Sequence, residues 1–303
     1  MSKHRRPARL SPRARRTLLG AAMIAVLAPV AGVALGSAIG DVNQCRETVA
    51  VNIAAAPDIA PVLTEHATDW STRSRPTQGT CVTVTVSAVD SAHMAVAYAE
   101  AGGIDIDVGD IDTEPVAVPD VWIPESLLWP ARLGGDMNGQ LSDRMDPVAA
   151  SPLGFGVQHN QSNTAFEGIT IQDAPVALKD PRTDVASLAL LLTARQHEVD
   201  IDTAPDGVPP MSAASVTAHN RTTDDDPLTF VSPQPSPPSF EYPYIAWSYQ
   251  SGALQRGVEA FRSSLLTNGF TDRLTEYNLQ IAGPYPSMPN SEAVMDIVDN
   301  WSD

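Results

Sequence analysis

Residues 45–65 read CRETVAVNIAAAPDIAPVLTE, a strand, a tight turn and a helix. Thr48 to Ile53 is apolar and β-branched, as a buried strand should be. Ala54, Ala55 and Ala56 are small residues where backbone can approach a ligand or another chain. Pro57 presets φ for a first helical turn, in which its missing N–H has no partner to lose. Asp58 adds a carboxylate that suits the positive end of the helix dipole. A strand C-terminus feeding a helix N-terminus is where open α/β sheets form their binding crevice.

Working outward, Cys81 opens a second apolar β-branched run, CVTVTVSAV. Each cysteine begins a strand and a helical segment separates them, so the unit reads as βαβ with parallel, adjacent strands. Neighbouring strands lie ~4.8 Å apart, within the ~4.4–6.8 Å Cα separation that a disulfide accepts. A Cys45–Cys81 bridge is therefore predicted if the chain is exported. Two independent thiols or a lipid-modified Cys45 are the alternatives, but Asp41-Val42-Asn43-Gln44 is not the small-residue box that lipidation needs.

Export is read from the N-terminus. Residues 1–16 hold seven basic residues and no acids, and residues 18–40 are apolar or small apart from Ser37. This is a secretory signal or a membrane anchor, long enough to span a bilayer. Cleaved and anchored forms both stay open, as do an ordinary signal and a twin-arginine route through Arg15-Arg16. All of them leave the remainder outside the cytoplasm, secreted or held at the membrane through residues 18–40. That remainder keeps 12 of the 19 Lys and Arg against all 36 Asp and Glu, a net charge of −24. Nucleic acid is excluded as a partner on that balance. A chain of this length buries a core large enough for one large domain or two lobes.

Further along, Ser91 to Ala101 reads as a helix stopped by Gly102-Gly103. Asp105 to Asp112 packs four carboxylates into eight residues, either a solvated loop or an incomplete calcium loop without its distal Glu. Val121-Trp122-Ile123 reads as a strand and Glu125 to Leu133 as a short helix. Ala149 to Gln158 reads as one crossing strand. Val176 to Arg195 reads as a strand, a turn at Asp180-Pro181 and a helix capped by Thr183 or Asp184. Val199 to Asp226 reads mostly as loop, Leu228 to Val231 as a strand, and Phe240 to Trp247 as an aromatic strand. Leu254, Val258, Phe261 and Leu265 give a helical spacing, with Asn268-Gly269 as its stop. A short amphipathic end follows Pro284.

These segments together resemble the extracellular solute-binding-like domain of many actinobacterial surface proteins, which is related to the type II periplasmic binding proteins of ABC transporters. The resemblance rests on Ala54 to Pro61, the Cys45 and Cys81 pair, Val121 to Trp129 (VWIPESLLW), Ala150 to Gly154 (ASPLG) and Asp180 to Thr183 (DPRT). The Tyr242-Pro243-Tyr244 strand with the Phe261 to Leu266 helix also fits. It implies an α/β fold of two lobes around a central cleft, following an N-terminal signal or anchor helix. Lobe 1 would comprise residues 41–150 and 245–303, and lobe 2 residues 151–244, with hinge crossings near Ala150 and Tyr244. Relatives of this kind often continue into a von Willebrand factor type A domain. No Asp-x-Ser-x-Ser motif follows here, so the chain either stands alone or is truncated.

Carried over by position, the ligand-binding candidates are Ala56, Asp58, Ser126, Trp129, Ser151, Asp180, Thr183 and Ser187. Hydroxyls and N–H groups would hold a small polar solute. Tryptophan would offer a flat face or simply pack, and Ser187 either points at the cleft or faces solvent. Relatives that bind oxyanions carry Ser or Thr directly after the first strand, where this chain has three alanines. The six histidines lack metal-ligand spacing, and no nucleophile elbow or phosphate loop occurs. A hydrolytic triad, whose members are distant in sequence, stays open. The reading is a non-catalytic, extracytoplasmic binding protein without cofactor or metal. The alternative is a ligand-free surface module of the same fold with a protein partner.

Overall fold

The computed structural model describes residues 45–73, 79–112, 116–134, 137, 139–141, 145–158, 166, 168–223, 226–248, 250, 252–283 and 288–301. The leader expected at residues 1–40 lies outside them. Among the described residues no helix is long and apolar enough to cross a membrane. The described residues divide into two compact units, 45–47 with 79–81, and 48–73 with 82–301.

In the first unit Cys45 and Cys81 are joined by a disulfide with Cα atoms 5.4 Å apart. The Arg46 N–H donates to the Gly79 carbonyl at 2.7 Å. Gly79 sits at φ +84°, a conformation that a side chain would strain.

The second unit is built on a four-stranded sheet of order β2-β1-β3-β9. Its strands are β1 (Glu47–Ala55, in this unit from Thr48), β2 (Thr80–Ala88, in this unit from Val82), β3 (Val121–Ile123) and β9 (Ile245–Ala246). β1 and β3 run parallel, with Ile53 opposite Val121 and Ala55 opposite Ile123. β9 closes the edge antiparallel to β3. Its helices are α1 (Ala60–Arg73), α2 (Ser91–Gly102) and, after β3, the short α3 (Leu128–Arg132). Asp90 caps α2, and Gly103 ends it in the left-handed conformation. The main hydrophobic core joins this sheet to Trp122, Trp129, Tyr242, Tyr244 and Phe261.

The expected single strand at 149–158 is two strands, β4 (Pro147–Ser151) and β5 (Leu153–Gln158), separated by Pro152. Pro152 has no N–H to give a ladder. β4 pairs antiparallel with β8 (Phe240–Pro243), Ala150 opposite Glu241 and Ser151 opposite Phe240. β5 forms the centre of a second, three-stranded sheet between β6 (Pro210–Ser212) and β7 (Leu228–Val231). A separate core of Phe155, Val157, Ile171, Val176 and Leu190 lies there. Its helix is α4 (Val185–Gln196), and Asp184 is its cap.

Two sequence expectations give way. Residues 199–226 are not loop throughout, because they carry β6 and a helix, α5 (Ala213–Thr222), capped by Ser212. Its buried face is only Ala213, Ala214 and Val216, too small a stripe to stand out among polar neighbours. Asn268-Gly269 does not end a segment. After α6 (Gly252–Ser264), Asn268 instead opens α7 (Asn268–Leu274), anchored by buried Phe270 and Leu274. The last helix is α8 (Ser291–Asp299), with Val294 and Val298 buried.

Candidate functional site

Ala56 and Asp58 follow β1 in a turn that the backbone fixes. The Ala56 N–H donates to the Ile123 carbonyl at 2.9 Å, and its own carbonyl accepts from Ile59 and Ala60 at 3.1 and 3.0 Å. Pro57 leaves no donor between them. The turn drives the Asp58 side chain inward, where the residue is only 8% exposed.

Three hydroxyls converge on one oxygen of that carboxylate. Asp58 Oδ2 accepts from Tyr242 at 2.7 Å, Ser215 at 2.9 Å and Ser212 at 3.2 Å. Tyr242 comes from β8, and the serines come from the cap and first turn of α5. Asp58 Oδ1 is buried without a hydrogen-bond partner. Burial raises the Asp58 pKa, against the lowering effect of these hydroxyls. Burial also holds the Tyr242 hydroxyl well above its ordinary range, reinforced by the Asp58 charge.

A second carboxylate stands nearby. Glu125 follows β3 and is partly buried. Its Oε1 accepts from the Trp129 ring nitrogen at 3.0 Å and its Oε2 from the Ser91 hydroxyl. Burial first, and the Asp58 charge as a smaller cause, push the Glu125 carboxyl up to about 7 despite both donors.

These two acids line a cavity of about 280 Å³. Lys179, Asp184, Val185 and Ala186 form one wall, β6 and α5 contribute Met211, Ser212 and Ser215, and Phe240 closes it. A larger cavity of about 840 Å³ lies on the other side of Phe240, among α4, α8 and Leu127-Leu128. Its walls mix Leu127, Leu128, Leu192 and Val294 with Arg195, Gln196, Glu241 and Asn290, and the two acids Asp58 and Glu125 are in the smaller one.

The eight expected site residues are distributed unevenly around this geometry. Ala56 and Asp58 line the smaller cavity. Ser126 lines the larger one, and its hydroxyl accepts from the Leu128 N–H at 3.2 Å. Trp129 is 1% exposed and holds Glu125 from behind, so it packs rather than offering a free face. Ser151 is fully buried and accepts from the Ala214 N–H at 3.0 Å, fixing the start of α5. Ser187 is also fully buried rather than facing solvent. It donates to Asp184 at 2.6 Å and accepts from the Lys179 N–H at 3.0 Å. Thr183 donates to the Asp180 carbonyl at 3.1 Å. Although partial burial opposes it, Arg182, 2.6 Å away, holds Asp180 below the ordinary carboxylate range. Ser151, Asp180, Thr183 and Ser187 therefore brace the cavity wall from outside it.

Sequence reasoning missed Glu125, Lys179, Ser212, Ser215 and Tyr242 as site residues. The one local signal was Ser212 preceding a helix-compatible Ala-Ala-Ser, hidden by the loop reading of its surroundings. In the acidic run, Asp107 Oδ2 lies 3.7 Å from Arg182. Among the described residues no group of three or more His, Cys, Asp or Glu could hold a metal ion.

No family model matches the chain, and no curated protein matches it. Solved structures do. The sulfate-binding protein SubI from Mycobacterium tuberculosis H37Rv is similar with a TM-score of 0.52 at 16% identity, over 84% of this chain and 91% of that one. A periplasmic thiamin binding protein gives 0.52 at 11% identity, over 80% and 86%. The fold is that of the two-lobed type II periplasmic binding proteins. At these identities the likeness carries the fold and leaves the ligand to be argued from this chain's own residues.

Proposed function

We propose that this chain is an extracytoplasmic, non-catalytic solute-binding protein that closes two lobes on a small polar solute. The lobes are residues 41–150 with 245–303, and residues 151–244. One observation carries the reading. Asp58 of the first segment is held by Ser212 and Ser215 of the second, beside a cavity of a small solute's size. Two further features support it. The antiparallel pair β4–β8 joins the proposed hinge crossings, and similar solved structures are named as binding sulfate and thiamin. Export through residues 1–40, either cleaved or retained as an anchor, belongs to the same reading. So does kinship with actinobacterial surface domains that accompany a von Willebrand factor type A domain.

A second reading has one observation in its favour. Asp58 itself occupies the hydroxyls that a ligand would meet, as a ligand-free interaction module of this fold would allow. Native mass spectrometry of the full chain, purified gently in detergent from its own host, separates the two. A co-purifying small molecule, lost on mild denaturation, is expected. A chain that stays empty and gains no thermal stability from a broad metabolite panel overturns solute binding.

A further inference from the structure

The charge balance of the smaller cavity selects a class of ligand. Among the described residues, no Lys, Arg or His forms an ion pair with Asp58 or Glu125. Lys179 also lines the cavity, together with a third carboxylate, Asp184. Asp184 Oδ2 is occupied by the Ser187 N–H and hydroxyl at 3.0 and 2.6 Å. Asp58 Oδ1 has no partner, and a buried carboxylate oxygen left unpaired is costly.

Most of the hydroxyls and several of the N–H groups that could hold an anion are already engaged, which leaves the Lys179 ammonium as the cationic donor on the wall. The Ala56 N–H goes to Ile123. At the start of α5, the Ala213, Ala214 and Ser215 N–H groups go to the Pro152 carbonyl, Ser151 and Ser212. At the start of α4, the Ser187 N–H goes to Asp184. The hydroxyls of Ser212, Ser215 and Tyr242 all point their protons at Asp58. A sulfate-like ligand entering here would meet two carboxylates and few free donors. A cation would meet a wall that carries three carboxylates, Asp58, Glu125 and Asp184, against the single ammonium of Lys179.

We infer that the solute is a small organic ammonium compound whose charged nitrogen is received by Asp58 and Glu125. Its apolar stem lies against Met211, Val185 and Phe240. This inference rests on the solute-binding reading above and names its ligand class. Burial pushes the Glu125 carboxyl up to about 7, so uptake of the cation near neutral pH is expected to release a proton from it. That compensation also explains why the fold tolerates two poorly paired acids: they are mates for a charge the ligand brings.

The test is titration calorimetry and thermal shift on the full chain in detergent. The probes are choline, glycine betaine, putrescine and lysine, set against sulfate, phosphate and glucose. At least one ammonium probe is expected to bind, while sulfate, phosphate and glucose do not. Asp58→Asn and Glu125→Gln should each weaken that binding roughly tenfold or more. Circular dichroism separates lost binding from lost folding, and Glu125→Gln serves as the test if Asp58→Asn fails to fold. Binding of sulfate, phosphate or glucose without any ammonium probe overturns the ligand class and leaves solute binding standing. Equal binding of an ammonium probe by wild type and both variants also overturns it. Silence from all seven probes overturns it too, and solute binding falls with it only if the host-purified chain is empty as well.

Discussion

The Tyr242 hydroxyl donates to Asp58 Oδ2 at 2.7 Å across 184 positions of sequence, and both side chains are buried. The contact joins the loop after the first strand to a strand near the end of the chain. It is one of three hydroxyls that lower the Asp58 pKa against burial, the larger effect, which raises it. Tyr242→Phe keeps the ring and removes only the donor. The variant is expected to lose about 1–3 kcal/mol in denaturant unfolding, as a buried acceptor deprived of a partner should. A loss well under 0.5 kcal/mol would mean that Ser212 and Ser215 suffice alone.

Two buried groups give opposite pH dependences. Glu125, raised to about 7 from 4.5, keeps a proton that the unfolded chain releases. Its contribution is full below about 4.5 and is lost as pH rises through about 7. His66 is packed against Phe261 and Phe270. Burial first, and then Arg273, lower it from 6.5 to about 4. It stays neutral where the unfolded chain takes up a proton, so its contribution is full above about 6.5 and is lost as pH falls toward 4. Between pH 4.5 and 6.5 the two effects oppose each other. Wild-type Tm should be nearly flat there, whereas the Tm of Glu125→Gln should rise with pH. Parallel profiles for the two proteins would sink this account.

The disulfide is expected to matter more than any single cavity residue. It closes a separation of 36 positions, worth roughly 4 kcal/mol by loop entropy. Cys45→Ser with Cys81→Ser should lower unfolding free energy by about 2–4 kcal/mol. Reductant should lower the wild-type Tm and leave the double variant unchanged. A wild type indifferent to reductant while unfolding would show that the bridge does not constrain the unfolded chain.

The core strands and first helices were legible because their patterns are local. Thr48 to Ile53 is β-branched, Pro57 and Asp58 sit at a helix start, and Gly103 can take a left-handed φ. Asp184 could be named as a cap for the same reason. The site was half legible. Asp58 is marked by its position after a strand, but its partners lie 154 and more positions away, where no periodicity points back to it. Ser212 and Ser215 were lost with α5, since a helix that buries Ala213, Ala214 and Val216 leaves almost no apolar stripe. Trp129 drew attention by its size, whereas its role is to hold the smaller, less conspicuous Glu125. Ser187 sat in an apolar helix for a reason that only packing reveals, namely tying Lys179 to Asp184.

Gly154 tests whether the second sheet carries the cavity wall. It lies in β5 opposite Met211 of β6, one residue from the Leu153–Ser212 pair. A Cβ at this position would sit 2.2 Å from the Val231 carbonyl oxygen and 3.0 Å from the Phe230 ring. The ring can turn aside, but a backbone carbonyl in the β5–β7 ladder cannot move without breaking that pairing. Gly154→Ala is therefore expected to cost about 1–3 kcal/mol or more and to loosen the segment that carries Ser212 into place. Hydrogen exchange should rise across residues 153–158, 210–215 and 228–231 while β1 and β3 stay protected. Uniform loss of protection across both sheets would instead mean that they unfold as one cooperative unit, and that the Asp58 contacts couple them more tightly than the hinge reading allows.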